Sequence, residues 1–575
     1  MSAPLSADRP WPRVGRLQRY GPVLLILLAL VAAGTVATIR TQTKPAASRA
    51  GARASKASVP PTYAAAEREG RTADYQWGRG CDRTTGRLEM PTVYAPPCVP
   101  VFHGTNGGRT WNGVSATTIN VVYYQAQPGL LSSVASGATA EPTATLATAQ
   151  DFVTMLDHVV ELYGRQVHLI HFQATGAADD SVAAQADAVD VAEQLHAFAS
   201  IGGPLQTSAY EEELASLHVL CVGCASSATS PEFQTNAPYI WSNLPTVNSL
   251  LDTATAYIIE QLNGKPAIWA GNPAWHHRTR VFVVVNEVAS PPTPGEQQLT
   301  QQITKLATTA HVRMATDQSL TYTLDLTTLP EQAATLAAKL NALGATTVVF
   351  AGDPVMPIYL TKACAELGYF PEWLITGTLF TDTSTLGRYY DQAEWSHAFG
   401  ISSLPVPTPI DQSGPYVLYR WWYGKGSLPP SEKTASLVLP PLLQLFEGIE
   451  LAGPNLTPYT FQAGLFGAPP AGGAPTTPLD ALGNQGAAPT PSYSWPADYT
   501  FVWWDPTARG PDEEGVQGAG LMRYVDGGKR YKDGTVPRGE VPMFSLAHSV
   551  TSYSTAPPGD RPPSYPPWPG SPAAR

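Results

Sequence analysis

Residues Thr346–Gly377, which run TTVVFAGDPVMPIYLTKACAELGYFPEWLITG, contain the pattern that decides the fold. The stretch begins with a short apolar run, continues with apolar residues at helical spacing over Pro357–Leu367, and ends with a second apolar run at Trp373–Ile375. Short apolar runs predict buried strands, and the spacing between them predicts a helix. A strand, a helix and a strand in this order predict two parallel strands joined by a crossover.

The same alternation continues upstream of this stretch. Further strands are predicted at Ile119–Tyr124, Val167–Phe172, Phe198–Ile201, Val219–Val222 and Val281–Val285. Helical patterns such as Leu146–Tyr163 separate these strands. The repetition predicts an α/β protein with two doubly wound, Rossmann-like lobes.

The composition limits the class of partner. The chain has 575 residues, with 35 Lys and Arg against 46 Asp and Glu, which gives a net charge of −11. Nucleic-acid binding requires clustered basic side chains, so we exclude nucleic acid as the main partner. A small molecule is the expected partner instead.

An uncharged run at Gly21–Ile39 follows a basic segment of residues 1–20. Its length nearly matches the hydrocarbon core of a bilayer, which predicts a transmembrane signal anchor or a cleaved signal peptide. Basic residues flank both ends of the run, so the positive-inside rule does not decide its orientation. We expect a body outside the cytoplasm, either anchored in the cell membrane by this one helix or secreted after cleavage.

The five cysteines bear on the compartment. Cys81 and Cys98 lie on either side of a loop that a disulfide could close. Cys221 and Cys224 form a CxxC pair, for which a short-range disulfide and two reduced core thiols both remain open. Cys364 has no candidate disulfide partner among the remaining cysteines. Disulfides would favour an exported body.

Three passages together resemble a known family. They are Ala197–Ala215 (AFASIGGPLQTSAYEEELA), Val219–Phe233 (VLCVGCASSATSPEF) and Thr346–Gly377. In this order they are similar to the type I periplasmic binding proteins, specifically the branched-chain-amino-acid-binding branch that feeds ABC importers. The resemblance covers about Gly113–Leu404. It implies a solute-binding protein that closes two lobes over a small ligand and works with an ABC permease.

The resemblance also implies ligand contacts in the first lobe. Thr207 and Ser208 precede a helix, in the loop whose hydroxyls hold a ligand carboxylate in this family. Ser227, Ala228 (through its backbone) and Thr229 follow the next strand. Ser and Thr also cap helices, and N-capping is the alternative role for each hydroxyl.

The second lobe departs from the family pattern. Asp353 stands where the amino-acid binders place an aromatic residue, and it is the ligand contact expected from this lobe. Gly377–Phe380 stands where they place a carboxylate for the ligand's ammonium group, and the nearest acid is Asp382. The ligand is therefore an amino acid, an amide or a less charged small molecule.

No catalytic or cofactor motif occurs in the sequence. G-x-S-x-G, H-E-x-x-H and P-loop patterns are all absent. We expect no enzyme activity, no cofactor and no metal. A membrane-anchored sensor or envelope receptor of the same fold, without transport, is the main alternative, and an extracellular enzyme is the weaker one.

These patterns divide the chain into segments. After residues 1–20 and 21–39 come a flexible tether (40–75), a Cys81/Cys98 loop extension (76–112), lobe 1 (113–245), lobe 2 (265–395), the return to lobe 1 (397–466), a Pro/Gly-rich linker (467–496), a small β element (497–545) and a disordered tail (546–575). Hinge crossings between the lobes are expected near 243–265, 343–347 and 392–400.

Overall fold

Two separate sheets organise the computed structural model of the protein, which describes residues 59–127, 142–204, 207–224, 228–288, 294–486 and 490–575. All of these residues belong to one compact unit, Ser58–Arg575. The predicted segments 1–20 and 21–39, and most of the predicted tether, lie outside the described residues. The mixed α/β architecture with parallel sheets confirms the predicted fold class.

The described chain begins with a small region that packs on the first lobe. It contains helix α1 (Tyr63–Arg68) and the short antiparallel strands β1 (Cys81–Asp82) and β2 (Arg87–Leu88). The hydroxyl of Thr62 accepts the Ala65 N–H and caps α1. The end of the predicted tether is therefore helical.

Lobe 1 is built on a five-stranded parallel sheet. In chain order its strands are β3 (Thr118–Gln125), β4 (Gln166–Gln173), β5 (Ala199–Ile201), β6 (Leu220–Val222) and β7 (Ile240–Trp241). Their order across the sheet is β4-β3-β5-β6-β7. The helices between them are α2 (Pro142–Val159), α3 (Ser181–Glu193), α4 (Ala209–Ser216) and α5 (Ser230–Thr235). Buried clusters on both faces of the sheet make the lobe doubly wound.

Lobe 2 has a larger sheet whose parallel part runs in the order β9-β8-β10-β11-β12. Its strands are β8 (Phe282–Glu287), β9 (Leu320–Tyr322), β10 (Thr347–Ala351), β11 (Glu372–Ile375) and β12 (Ala398–Ser402). Its helices are α6 (Val247–Tyr257), α7 (Pro294–Thr304), α8 (Leu329–Leu343), α9 (Met356–Glu366), α10 (Ser384–Gly387) and α11 (Gln392–Trp395). Both faces are again covered.

The remaining helices return to lobe 1. They are α12 (Gly414–Tyr423), α13 (Ala435–Ala452) and α14 (Pro458–Gly467). Within the described part of the chain, α13 alone is long and apolar enough to cross a membrane, and 83% of it is buried inside the protein. Four of its leucines, at positions 439, 442, 443 and 445, pack into the lobe 1 core.

The lobe 2 sheet continues past β12 with antiparallel strands. These are β13 (Asp498–Pro511), β14 (Gln517–Val525), the short β15 (Tyr531–Lys532), which pairs with β13, and β16 (Ser549–Val550). Residues 497–545 are thus part of lobe 2 and not a separate β element. The predicted return at 397 also begins later, because β12 pairs with β11. Without β13, the backbone groups on one side of the buried β12 would lack partners.

Within the described residues the chain passes between the lobes four times. The first three crossings are the segments 242–246, 403–413 and 468–497, and the fourth follows β16 and leads to Tyr565 and Trp568, which contact lobe 1. The first agrees with the expected crossing near 243–265. Residues 343–347 and 392–400 lie entirely within lobe 2, so those two expected crossings are wrong.

Two segments predicted from proline and glycine content to be a linker and a disordered tail are packed on the protein in their described residues, 467–486, 490–496 and 546–575. In 467–496, Gly483 bridges to Ser492, and Trp495 is buried in the lobe 1 core. In 546–575, the Tyr565 hydroxyl donates to Asp82 (2.7 Å). The Trp421 indole donates to the Pro566 carbonyl (2.7 Å). Aromatic side chains anchor these segments where composition alone predicted no packing.

Candidate functional site

The candidate site is a cleft between the carboxyl ends of the two parallel sheets. Ligands in open α/β sheets bind at this edge, where loops and the first turns of helices meet. A cavity of about 490 Å³ lies there and has walls from both lobes. We call it the interlobe cleft, and it is lined by Glu212, Thr229, Pro231, Glu232, Thr235 and Asn236 of lobe 1 and Pro294, Gln297, Gln298 and Gln301 of lobe 2.

Thr229 is the predicted contact that lines this cleft. It ends the loop after β6 and is only 2% exposed. Its hydroxyl and its N–H both donate to the Glu232 carboxylate, at 2.7 and 2.6 Å. The Glu232 N–H donates back to the Thr229 hydroxyl, which completes a capping box at the start of α5. The hydroxyl therefore serves the capping role that the sequence left open.

Thr207 and Ser208 lie at the start of α4, as predicted. The Thr207 hydroxyl is 2.8 Å from the Ser181 hydroxyl and accepts the Ala209 N–H. The Ser208 hydroxyl donates to the Glu212 carboxylate at 2.8 Å. Each of these hydroxyls has a partner within lobe 1.

The loop after β6 is tied to the first helix of lobe 2. The Ala228 carbonyl accepts the Val247 N–H at 3.3 Å, and the Ser230 N–H donates to the Asn248 side chain at 2.8 Å. Predicted contact Ser227 lies outside the described residues. The backbone of Ala228 thus couples the candidate site to the first interlobe crossing.

Asp353 is placed inside lobe 2 and does not line the interlobe cleft. Its carboxylate accepts the hydroxyl proton of Tyr322 and the N–H groups of Val355 (2.6 Å) and Met356 (3.1 Å). Burial raises the pKa of Asp353, and these hydrogen bonds oppose that rise. The side chain orders the turn that leads into α9.

Sequence reasoning missed the strained loop after β11. Leu379 and Phe380 both have positive φ, at 45° and 64°, although neither is glycine. Such strain concentrates at functional sites. The Thr378 hydroxyl donates to the Gly352 carbonyl and so links this loop to the turn after β10. In the sequence, the only indication of this loop is the Gly377-Thr378 pair that follows β11.

Sequence reasoning also missed the lobe 2 wall of the cleft. Three glutamines of α7, at positions 297, 298 and 301, present amide groups there. Their spacing places them on one side of a helix, but periodicity does not show which lobe that side faces.

Both candidate disulfides are present, and for Cys221 and Cys224 the disulfide is the alternative that the structure shows. Cys81–Cys98 closes the N-terminal loop, and Cys221–Cys224 lies at the end of β6, directly before the loop that carries Thr229. Cys364 is unpaired and buried, and burial raises the pKa of its thiol. No metal-binding group of His, Cys, Asp and Glu occurs in the part of the chain that the structure describes.

No protein-family model matches this sequence, and no curated protein matches it. Among solved structures, the chain is similar to a solute-binding protein of an ABC transporter from Rhodopseudomonas palustris HaA2, in complex with p-hydroxybenzoic acid. That similarity has 13% identity and a TM-score of 0.49, over 75% of this chain and 99% of that chain.

Two further solved structures are of the same kind. One is an ABC transporter substrate-binding protein from Aeropyrum pernix (13% identity, TM-score 0.48, 72% of this chain and 96% of that chain). The other is the branched-chain amino acid transporter substrate-binding protein LivJ from Streptococcus pneumoniae with isoleucine (13% identity, TM-score 0.45, 71% and 100%). The chain is similar to solute-binding proteins. The division of this chain into two lobes is shown by the strand orders of its own two sheets.

Proposed function

We propose that this chain is an extracytoplasmic solute-binding protein of the type I periplasmic binding protein fold. It would hold a small polar ligand, such as an amino acid, an amide or a related molecule, in the interlobe cleft. The observation that carries the proposal is the cavity lined from both lobes at the carboxyl ends of their strands. Its volume lies in the range of small-molecule sites, about 300–1,000 Å³.

Binding would proceed by hinge closure and not by chemistry. The first and third crossings run side by side, so the lobes have a shared axis about which they can bend. A ligand that contacts both walls stabilises the closed arrangement by its differential affinity. No covalent bond is made or broken in this cycle.

The proposed ligand contacts come from both lobes. In lobe 1 they are the loops with Thr207 and Ser208 and with Ser227, Ala228 and Thr229. In lobe 2 they are the α7 glutamines that line the cleft. Asp353 would act from lobe 2 by ordering the turn after β10.

The proposed setting is the outside of the cytoplasmic membrane. Two disulfides support an oxidising compartment for the body of the protein. The apolar run Gly21–Ile39 would anchor it, and the partner would be the permease of an ABC importer. A free ligand would be captured by the body and delivered to that permease.

Calorimetric titration of Gln298→Ala and Gln301→Ala variants tests the proposal. First, a thermal-shift screen of amino acids, amides, amines and aromatic acids identifies a binder, since a ligand at 100 times its Kd stabilises by about 2.7 kcal/mol. Each variant then loses a hydrogen bond to that binder, worth about 1 kcal/mol, and affinity falls about fivefold.

Thr304→Ala is the matched control, because Thr304 is an exposed residue of the same helix that does not line the cleft. Its affinity should equal that of the unmodified protein. Saturable binding that all three variants leave unchanged would place the ligand elsewhere and contradict the proposal.

A further inference from the structure

The connections that follow the parallel strands contain no basic residue. In the sequence, every connection that follows a parallel strand, from β3 through β12, lacks Lys, Arg and His. The opposite edge of the sheets is different, since basic residues precede several strands there by one to three positions. These residues are Arg165, His196, His218, Arg280 and His397.

The charged residues in those connections are all acidic. Glu141 lies in the connection after β3, and the others are Asp179, Asp180, Asp325, Asp353, Asp382 and Asp411. The walls of the cleft add the carboxylates of Glu212 and Glu232, and no cationic side chain is among its lining residues that the structure describes. A cleft lined by one sign of charge concentrates counter-ions of the other sign.

The groups that would hold a ligand carboxylate are already occupied by the protein's own carboxylates. Glu232 takes both the hydroxyl and the N–H of Thr229. Glu212 takes the hydroxyl of Ser208. A carboxylate ligand would have to displace these contacts and then lie beside the carboxylates it displaced.

We propose that the ligand of the interlobe cleft is a small organic amine or another compact cation rich in N–H donors, and that it carries no carboxylate. The inference rests on the proposed function and narrows its substrate class. The cleft selects such a ligand by charge, because its two carboxylates attract an ammonium group and repel an acid. The amides of the α7 glutamines accept and orient the same N–H groups.

Calorimetry with matched pairs of compounds tests this inference on the full chain. The pairs differ only in the charged group: 1,4-diaminobutane and succinate, 4-hydroxybenzylamine and 4-hydroxybenzoate, and isoleucinamide and isoleucine. In at least one pair, the compound without a carboxylate should bind at least tenfold more tightly. Its affinity should also fall as the ionic strength rises.

Glu212→Gln and Glu213→Gln form the variant pair. Both remove one negative charge from α4, but only Glu212 lines the cleft. Glu212→Gln should weaken binding of the amine about five- to tenfold, and Glu213→Gln should change it less than twofold. Equal losses in the two variants would overturn the inference.

The remaining outcomes separate the two proposals. Tighter binding of the carboxylates would overturn the amine assignment and leave the solute-binding function in place. If no compound of either class binds, the proposed function fails together with the inference.

Discussion

Ser242 and Ser494 lie side by side at the boundary between the two lobes, and both are buried. The Ser242 N–H donates to the Tyr493 carbonyl, and its own carbonyl accepts the Trp495 N–H, each at 3.0 Å. Ser242 belongs to the first crossing and Ser494 to the third. Any bending of one crossing is therefore transmitted to the other.

Ser494→Ala should weaken this junction. The hydroxyl donates to the Leu244 carbonyl at 2.5 Å, and the Ser242 hydroxyl donates to the same carbonyl at 3.1 Å, so the variant removes one of two donors. We expect the free energy of unfolding to fall by about 1 kcal/mol, measured by urea denaturation. The control Ser216→Ala removes an exposed hydroxyl and should change it by less than about 0.5 kcal/mol. Equal effects in the two variants would show that the junction contributes no stability.

Glu372→Gln should destabilise the protein strongly. Glu372 is fully buried and receives two hydrogen bonds from the buried Arg280, at 2.7 and 2.9 Å. The neutral side chain leaves the buried Arg280 guanidinium without a counter-charge. The free energy of unfolding should fall by about 3–5 kcal/mol, which urea denaturation measures. Glu69→Gln, which breaks an exposed pair with Arg71, should cost less than about 1 kcal/mol. A small loss in Glu372→Gln would contradict the pairing.

The two disulfides should differ in their contribution to stability. Cys81–Cys98 closes a separation of 17 residues and Cys221–Cys224 one of only 3. In the chain-entropy account, paired Cys→Ala variants lose about 3 and about 2 kcal/mol respectively. Urea denaturation of the two paired Cys→Ala variants shows which loss of unfolding free energy is larger. Thiol titration of the unmodified protein gives the check, since more than one titratable thiol after unfolding would mean that a bridge is absent.

Stability should decrease as pH rises from 5 to 8. Burial raises the pKa of Asp382 to about 6, of Glu287 to about 7 and of Glu211 to about 8. A raised carboxyl pKa contributes stability that is present below its unfolded value and lost as pH rises through the folded value. Burial lowers the pKa of His397, which acts in the opposite direction. We expect the three acids to outweigh it and Tm to fall.

Glu211→Gln isolates one part of this pH dependence. It removes the group with the highest of these three values, so the decrease between pH 7 and 8 should become shallower, by about 1 kcal/mol or more. Thermal unfolding at half-unit pH steps measures the slope. A profile identical to that of the unmodified protein would mean that Glu211 does not titrate in this range.

The C-terminal segment 549–568 should resist proteolysis in the native protein. It pairs with β14 in lobe 2 and then reaches α12 in lobe 1, where Trp568 packs edge-on against Trp421. Trp568→Ala should release the end of the segment, and limited digestion with endoproteinase Asp-N followed by mass spectrometry should then show cleavage before Asp560. The unmodified protein should stay intact there under the same conditions. Early cleavage in both would favour the disorder predicted from its prolines.

The elements of the parallel sheets were predictable because each carries a local pattern. Val281–Val285 and Thr347–Phe350 are short apolar runs, and both are strands in the structure. The pairing of β12 with β13 was not predictable, because Phe399 meets Trp503 across about a hundred residues of intervening chain. No local pattern records that contact, and so the sequence predicts a separate element at 497–545.

The candidate site was predictable only in its position. Strand ends and helix starts located the loops with Ser208 and Thr229, and both lie where expected. The Ser208 hydroxyl donates to Glu212, four residues later, and the Thr229 hydroxyl donates to Glu232, three residues later. In the sequence, this spacing indicates only the start of a helix. Asp353 is held by Tyr322, which comes from β9, two strands away from β10 in the sheet, and no local sequence pattern indicates that contact.

The contact between Tyr565 and Asp82 joins the two ends of the described chain on lobe 1. The protein is thus topologically close to a ring, with its first and last segments already adjacent. A circular permutant that links residue 575 to residue 59 and opens at the exposed turn of Lys425 and Gly426 would keep the contacts of both segments. A fluorescent reporter inserted into the new linker would then lie inside the sequence and on lobe 1.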